Sequence, residues 1–213
     1  MAAKPPSSRD KILDVAEVRF ARRGFAGVGM RELAESVGLS KSSLFHHFRS
    51  KHQLYFEVLG RVLARIQQRL APVMALDTDP AARLDRLIDA AVDALAEHPP
   101  AARLLLRGLF EEDDVPEQPL PEAENCERVL AEILEDIHRL LRDGVERGVF
   151  RPVSVPHTVQ TLIGAIVYHF ASGELGEGLL RGPLLSAEAV GRRKQELRQM
   201  MHLGLVAQPE ATH

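Results

Sequence analysis

Apolar residues recur three and four positions apart along almost the whole chain, and no segment shows the two-residue alternation of a half-buried strand. A chain of 213 residues patterned in this way has to bury its stripes helix against helix, so the expected fold class is all-α. The first stripe follows Ser7-Ser8, carries Ile12, Ala16 and Phe20, and stops at Gly24. A short one over about 30–37 turns Leu33, Ala34 and Val37 inward, Gly38-Leu39 makes a corner, and Ser40 caps a helix over about 41–47. Ser50-x-x-Gln53 reads as a capping box opening a much longer helix. That helix carries Leu59, Val62, Leu63, Ile66, Leu70 and Val73, and Pro72 kinks or ends it. Asp79-Pro80 starts the next stripe, and further stripes end at Phe110, near Gly144, near Ser172 and near Gly204.

The count is about nine helices, three short ones in an N-terminal head and six mostly longer ones in a body. The acidic, proline-rich run "EEDDVPEQPLPE" at 111–122 reads as a loop. The run "GELGEGLLRGPLLS" at 173–186 reads as a glycine-rich connection, and the last few residues as a disordered end.

Charge divides along the same boundary. Residues 1–60 hold 10 Lys and Arg against 6 Asp and Glu, a balance of +4, while the rest hold 17 against 24, a balance of −7. A polyanion would be met by the head alone. No apolar run approaches the roughly 18–20 residues that span a bilayer, so no membrane partner is expected. The start, "MAAKPPSSRDK", lacks the apolar core of an export signal, and the single cysteine, Cys126, excludes an intrachain disulfide. A cytoplasmic location is expected.

Two short helices joined at a glycine corner have the dimensions of a DNA reader, in which the second enters the major groove while the first crosses behind it. Leu44 and Phe48, four apart, anchor the second helix to the head. Lys41, Ser42, Ser43, Phe45, His46 and His47 are then left to face a partner. Lysine reaches guanine acceptors or phosphate, serine serves several base edges, and a phenyl ring can lie on a thymine methyl or a sugar. Lys51, in the first turn of the following helix, can join the free backbone N–H groups on one phosphate. With Arg31 and Ser40 these residues make the candidate DNA-binding set.

Residues 8–55 resemble the DNA-binding domain of the tetracycline-repressor (TetR) family of bacterial transcriptional regulators. The resemblance is carried by "ILDVAEVRFARRGF" and "MRELAESVGLSKSSLFHHFRSKHQL", within which Gly24-Phe25, Leu33-Ala34, Val37-Gly38-Leu39-Ser40, Phe45-His46-His47-Phe48 and Ser50-Lys51 occupy the family's positions. Three residues depart from the pattern. Val28-Gly29 stands where the family places two hydroxyl residues before the second helix, so a cap and phosphate ligand is missing there. Phe45 replaces a tyrosine and lacks its phenolic hydrogen bond, and Arg19 stands where an apolar residue is common. The resemblance implies a head at 8–55, a bridging helix to about 75, and a ligand-binding and dimerisation body at 56–206.

A small head makes few contacts, so two heads on one palindrome of double-stranded operator DNA are expected, held by a homodimer. The near-continuous apolar helix at about 155–172 and the last helix are candidates for that interface, through Leu162, Gly164, Ala165, Leu197, Met200 and Met201. The alternative is that the first of these helices is the centre of the monomer core. Polar groups inside apolar runs (Cys126, His138, Tyr168 and His169), with Ile66, Leu70, Leu105, Leu109, Phe110 and Ile133, make a candidate site for a small lipophilic effector. The long helix from Lys51 reaches both sites, and a ligand fitting one tilt of it would change operator affinity by linkage.

Catalysis is not expected. There is no His-Glu-x-x-His, no spaced Cys/His set, no Gly-x-Ser-x-Gly, and "GELGEGLLRG" follows a helix rather than a strand. No cofactor or metal is implied. The function expected is a ligand-responsive regulator, a repressor released by its effector; the alternative is a helical ligand-binding or interaction module with a vestigial head.

Overall fold

A computed structural model describes residues 7–110 and 120–207, with Leu109 and Phe110 described by backbone alone. Ten helices lie among the described residues: α1 (Ser8–Arg23), α2 (Met30–Ser36), α3 (Lys41–His47), α4 (Lys51–Met74), α5 (Pro80–Glu97), α6 (Pro100–Phe110), α7 (Pro121–Glu146), α8 (Val155–Ala171), α9 (Glu174–Leu180) and α10 (Ala187–Leu205). Pairing of extended backbone among them is limited to one isolated bridge, Phe150 with Val206. The acidic run read as a loop falls mainly at 111–119 and the expected disordered end at 208–213, both outside the described residues.

The helix starts follow the capping residues. Ser7 Oγ accepts from the Asp10 N–H at 3.1 Å while Asp10 accepts from the Ser7 N–H at 3.0 Å, a closed capping box. The Asp79 carboxylate accepts from the N–H groups of Ala81 and Ala82, with Pro80 in the first turn. Pro72 does not break α4 at once; the helix ends two residues later, at Met74. The tenth helix is α9, inside the run expected as a connection. Its Gly176 is buried against Ser172 and Leu184, and this packing outweighs the weak helix propensity of its glycines.

The described chain resolves into two compact units. The first combines the chain up to Ala64 with Pro100–Val129, and the second combines Arg65–Pro99 with the chain from Leu130 onward. In the first unit α1 packs on α6 and on α2, and α2 on α3. Its core is Ile12, Ala16, Phe20, Leu33, Leu44, Phe48, Leu54, Val58, Ala102 and Leu104, all buried. Phe20, Phe25 and Tyr55 form an aromatic cluster, with Phe20 edge-on to Tyr55 at 5.1 Å.

In the second unit α5 packs on α8 and α10. Two ion pairs and a histidine–carboxylate hydrogen bond join α5 to α10 at four-residue spacing on both helices. Lys194 meets Asp93 at 2.6 Å, Arg198 meets Asp89 at 3.0 Å and His202 meets Asp85 at 2.8 Å. The turn after α7 is closed by the Phe150 N–H donating to the Gly144 carbonyl, and by Arg151 and Ala207 amides bonded to the Leu205 and Val149 carbonyls. A side chain at Gly144 would meet the Phe150 ring at 2.1 Å, so the ring needs the absence of a Cβ there.

α8 is not buried on all sides. Val159, Leu162, Ile166 and Phe170 form its inward stripe, and Gly164 and Tyr168 lie exposed. Likewise α10 buries Leu197, Met201 and Leu205 and exposes Met200 and Leu203. Of the residues expected at a subunit boundary, Leu162, Leu197 and Met201 are thus corrected: the fold of a single chain uses them as core, at 2%, 0% and 5% exposure.

Candidate nucleic-acid interface

The surface of interest is assembled by α2, the corner and α3. Gly38 has φ +73°, and a chain reversing between two short helices needs a residue that adopts this conformation without strain. Its neighbours complete the corner: the Gly38 and Leu39 amides donate to the Glu35 and Ala34 carbonyls. Ser40 then caps α3, its Oγ accepting from the Ser43 N–H at 3.0 Å and lying 2.8 Å from both the Ser42 and Ser43 hydroxyls. Leu44 and Phe48 are fully buried and fix the rotation of the helix.

That rotation turns Lys41, Ser42, Phe45 and His46 outward, with Ser43 and His47 half-buried at the edges. Lys41 Nζ lies 5.7 Å from the Phe45 ring centroid, one helical turn away, so cation and ring present a joint surface. The His46 and His47 rings are 6.1 Å apart. Arg31 is exposed on α2 and pairs with Glu35 at 3.0 Å.

Lys51 is placed differently from the sequence expectation. It is half-buried, its Nζ 4.3 Å from the Phe25 ring centroid and donating to the Ala26 carbonyl at 3.4 Å. A phosphate at this position would share an ammonium that already braces the turn after α1.

The departures from the family pattern also have structural counterparts. α2 starts at Gly29 with no side-chain cap, and Val28 is buried. Across the same helix Glu32 is gripped by two arginines of α1. Arg23 Nη1 donates to both carboxylate oxygens at 2.7 and 2.9 Å, and Arg19 donates as well. The Arg19 and Arg23 hydrogen bonds hold the Glu32 carboxyl below its usual range. Arg19 is therefore a surface tie from α1 to α2 where an apolar contact is common. Sequence periodicity could not flag it, because a charged residue on a half-exposed face is ordinary.

The candidate effector residues divide between the two units. Leu105 and Cys126 belong to the first; Ile66, Leu70, Ile133, His138, Tyr168 and His169 to the second, and the Leu109 and Phe110 side chains are outside the described set. Tyr168 is 56% exposed, because the inward stripe of α8 is taken by its neighbours; its place in an apolar interior is corrected. Cys126 is buried with its Sγ donating to the Phe56 carbonyl at 3.2 Å, and burial pushes its pKa up to about 11. It is a packed thiol rather than a reactive one. Nδ1 of His138 lies 2.8 Å from the Leu134 carbonyl. His169 Nε2 is buried without a hydrogen-bond partner among the described residues, and desolvation, then the nearby Arg193 charge, lower the ring's pKa to about 4. A shallow notch of about 170 Å³ in the second unit is lined by other residues, among them Arg65, Arg69, Glu97 and His98.

Two stretches of the chain match known families. Residues 12–58 match the model of bacterial regulatory proteins of the tetR family, and residues 80–201 match the tetracyclin repressor-like C-terminal domain. The chain is 33% identical over 151 residues to the HTH-type transcriptional repressor KstR2 of Mycolicibacterium smegmatis, covering 70% of this chain and 71% of that protein. The fold is similar to that of the ketosteroid transcriptional regulator KstR2 of Mycobacterium tuberculosis, with a TM-score of 0.76, 22% identity and coverage of 97% of this chain and 99% of that one. It is similar also to AibR solved with isovaleryl coenzyme A and operator DNA, with a TM-score of 0.73, 15% identity and coverage of 91% and 97%.

Proposed function

The chain belongs to the tetR family of bacterial regulatory proteins and is a DNA-binding transcriptional regulator, and on that premise we propose that it is a dimeric repressor released from its operator by a small lipophilic effector. It acts on cytoplasmic DNA; among the described residues no helix is long and apolar enough to cross a membrane. The observation that carries the reading is the outward face of α3. Lys41, Ser42, Phe45 and His46 stand on a helix whose rotation is fixed by two fully buried anchors. In this reading Arg31, Lys41 and Lys51 meet phosphates, while Ser42, Ser43, Phe45, His46 and His47 meet base edges and sugars. Ser40 keeps its cap and holds the hydroxyl cluster in place.

The second copy is proposed to pair through the exposed sides of α8 and α10. Gly164, Tyr168, Met200 and Leu203 supply an apolar surface there, and Ala165 lies at its edge. The effector is proposed to be an acyl compound, its coenzyme A thioester included. Support comes from the isovaleryl coenzyme A bound in the AibR structure. Within the second unit Ile66, Leu70, Ile133 and His138 are proposed to contact it, with the unpartnered His169 Nε2 as a polar anchor.

The test is selection of a binding site from random duplexes, followed by titration of variants. Lys41→Ala should weaken all duplexes alike, whereas His46→Ala should relax preference at particular base pairs, costing about 1–3 kcal/mol of discrimination there. Selection yielding no enriched palindrome would overturn the reading in favour of a ligand-binding module. Acyl coenzyme A thioesters of graded length, added to the complex, test the effector: release should depend on chain length.

A further inference from the structure

The first unit ties its helix-turn-helix to α6 and α7 by polar side-chain contacts. Gln53 stands at the centre of one. Its backbone N–H donates to the Ser50 Oγ at 3.0 Å, which starts α4. Its side-chain Oε1 accepts from the Arg49 N–H at 2.8 Å, in the turn that leaves α3, and its Nε2 donates to the Glu122 carboxylate of α7 at 3.0 Å. One amide therefore joins the end of the DNA-facing helix to the first turn of α7.

The chemistry requires an amide. A glutamate at position 53 would still accept from Arg49, as in an ordinary capping box, but would have no hydrogen to give Glu122 and would face a like charge. One turn further on, α4 and α7 touch again. Cys126 reaches the Phe56 carbonyl, and a side chain at Gly60 would meet Cys126 Sγ and the Asn125 amide at 3.5 and 3.7 Å, ordinary contact distances. At the other end of the head, Arg107 of α6 donates through Nε to the Ala21 carbonyl at 3.3 Å and through Nη2 to the Arg22 carbonyl at 3.4 Å, on the last turn of α1. α6 and α7 thus grip the head at both ends.

We propose that Gln53 is a positioning residue for operator reading, tying the turn after α3 to α7 through Glu122 so that displacement of α7 is felt at the DNA-facing surface. The proposal rests on the reading of α3 as the recognition helix. It places the signal path in a side-chain contact of α7, in addition to any tilt of α4.

Glu122 is the residue to vary, because it lies on α7 and its change leaves the cap of α4 intact. The probes are the palindrome that the wild-type protein selects and an unrelated duplex of equal length. Glu122→Ala should bind the palindrome about tenfold more weakly, with the unrelated duplex bound as before or slightly more tightly, since a negative charge has been removed. Glu122→Gln keeps an acceptor for the Gln53 amide and should stay within about twofold of wild type on both duplexes. In the DNA-free proteins, the Arg49 amide should exchange its hydrogen faster in Glu122→Ala and not in Glu122→Gln. The tie is refuted if Glu122→Ala holds the palindrome as tightly as wild type, or loses both duplexes equally. If the wild-type protein shows no preference between the duplexes, operator reading itself fails, and the Arg49 exchange rate alone then decides whether the tie exists.

Discussion

Several single residues in this chain are fixed by what surrounds them rather than by their type. Gly144 is one: the fully packed Phe150 ring occupies the place of its missing side chain. Gly144→Ala should therefore cost about 1–3 kcal/mol in urea unfolding, well beyond what helix propensity alone would return to the variant. Cys126 is another. A thiol whose folded pKa is raised is held in its neutral form by the fold, so its contribution is complete below about 9 and falls as pH climbs toward 11. At pH 8 it should react with iodoacetamide far more slowly than the unfolded chain, and the rate should rise only with denaturant; rapid labelling of the native protein would contradict the packed thiol. The anchors Leu44 and Phe48 were legible from their four-residue spacing, and the structure buries both completely. The two roles of Gln53 were not equally legible. Its acceptor half follows from the Ser50-x-x-Gln53 pattern, although the bond closes on the Arg49 amide one residue earlier. Its donor half, to a carboxylate 69 positions away, leaves no local trace.

At the scale of elements, the stripes located most helices because burial at period 3.6 is a local property of sequence. Where the reading missed, two physical reasons recur. Glycine lowers helix propensity but does not forbid a short helix that packs, which is how α9 arises inside a run expected as a connection. An apolar stripe also does not say which neighbour covers it, so Leu162, Leu197 and Met201 pointed to a partner while the chain's own second unit buries them. The ladder between α5 and α10 was readable in principle, since Asp85, Asp89 and Asp93 repeat at four, as do Lys194, Arg198 and His202. Nothing in either segment alone marks the other as its mate. The two ion pairs are partly exposed, so each should be worth only about 0.2–1 kcal/mol, less at high salt. Their effect is on register. Asp89→Arg or Arg198→Asp alone should lower the melting temperature, and the double exchange should recover most of the loss; a double variant no better than the worse single one would remove the ladder from the account.

For the whole molecule, the charge balance separates a basic first 60 residues from an acidic remainder, and the family of the chain was visible in one ordered motif. The proposed pairing surface rests on exposure, which separates the outer residues of α8 and α10 from the inner ones. Leu203 is 80% exposed and Met200 51%, a surface that a second copy would cover. Leu203→Glu should shift sedimentation toward the monomer and weaken operator binding without unfolding the chain, since no core contact is lost. The account turns on paired heads meeting DNA through charge and reading it through α3. If Arg31, Lys41 and Lys51 of each copy meet phosphates, six are neutralised per dimer, and affinity for the selected palindrome should fall about a thousandfold between about 50 and 200 mM salt. Fluorescence-anisotropy titration of that palindrome and a scrambled duplex across this range is the most direct measurement. The account predicts a steep loss for both, with the palindrome preferred at every salt concentration; equal affinity for the two duplexes, unchanged by salt, would contradict it.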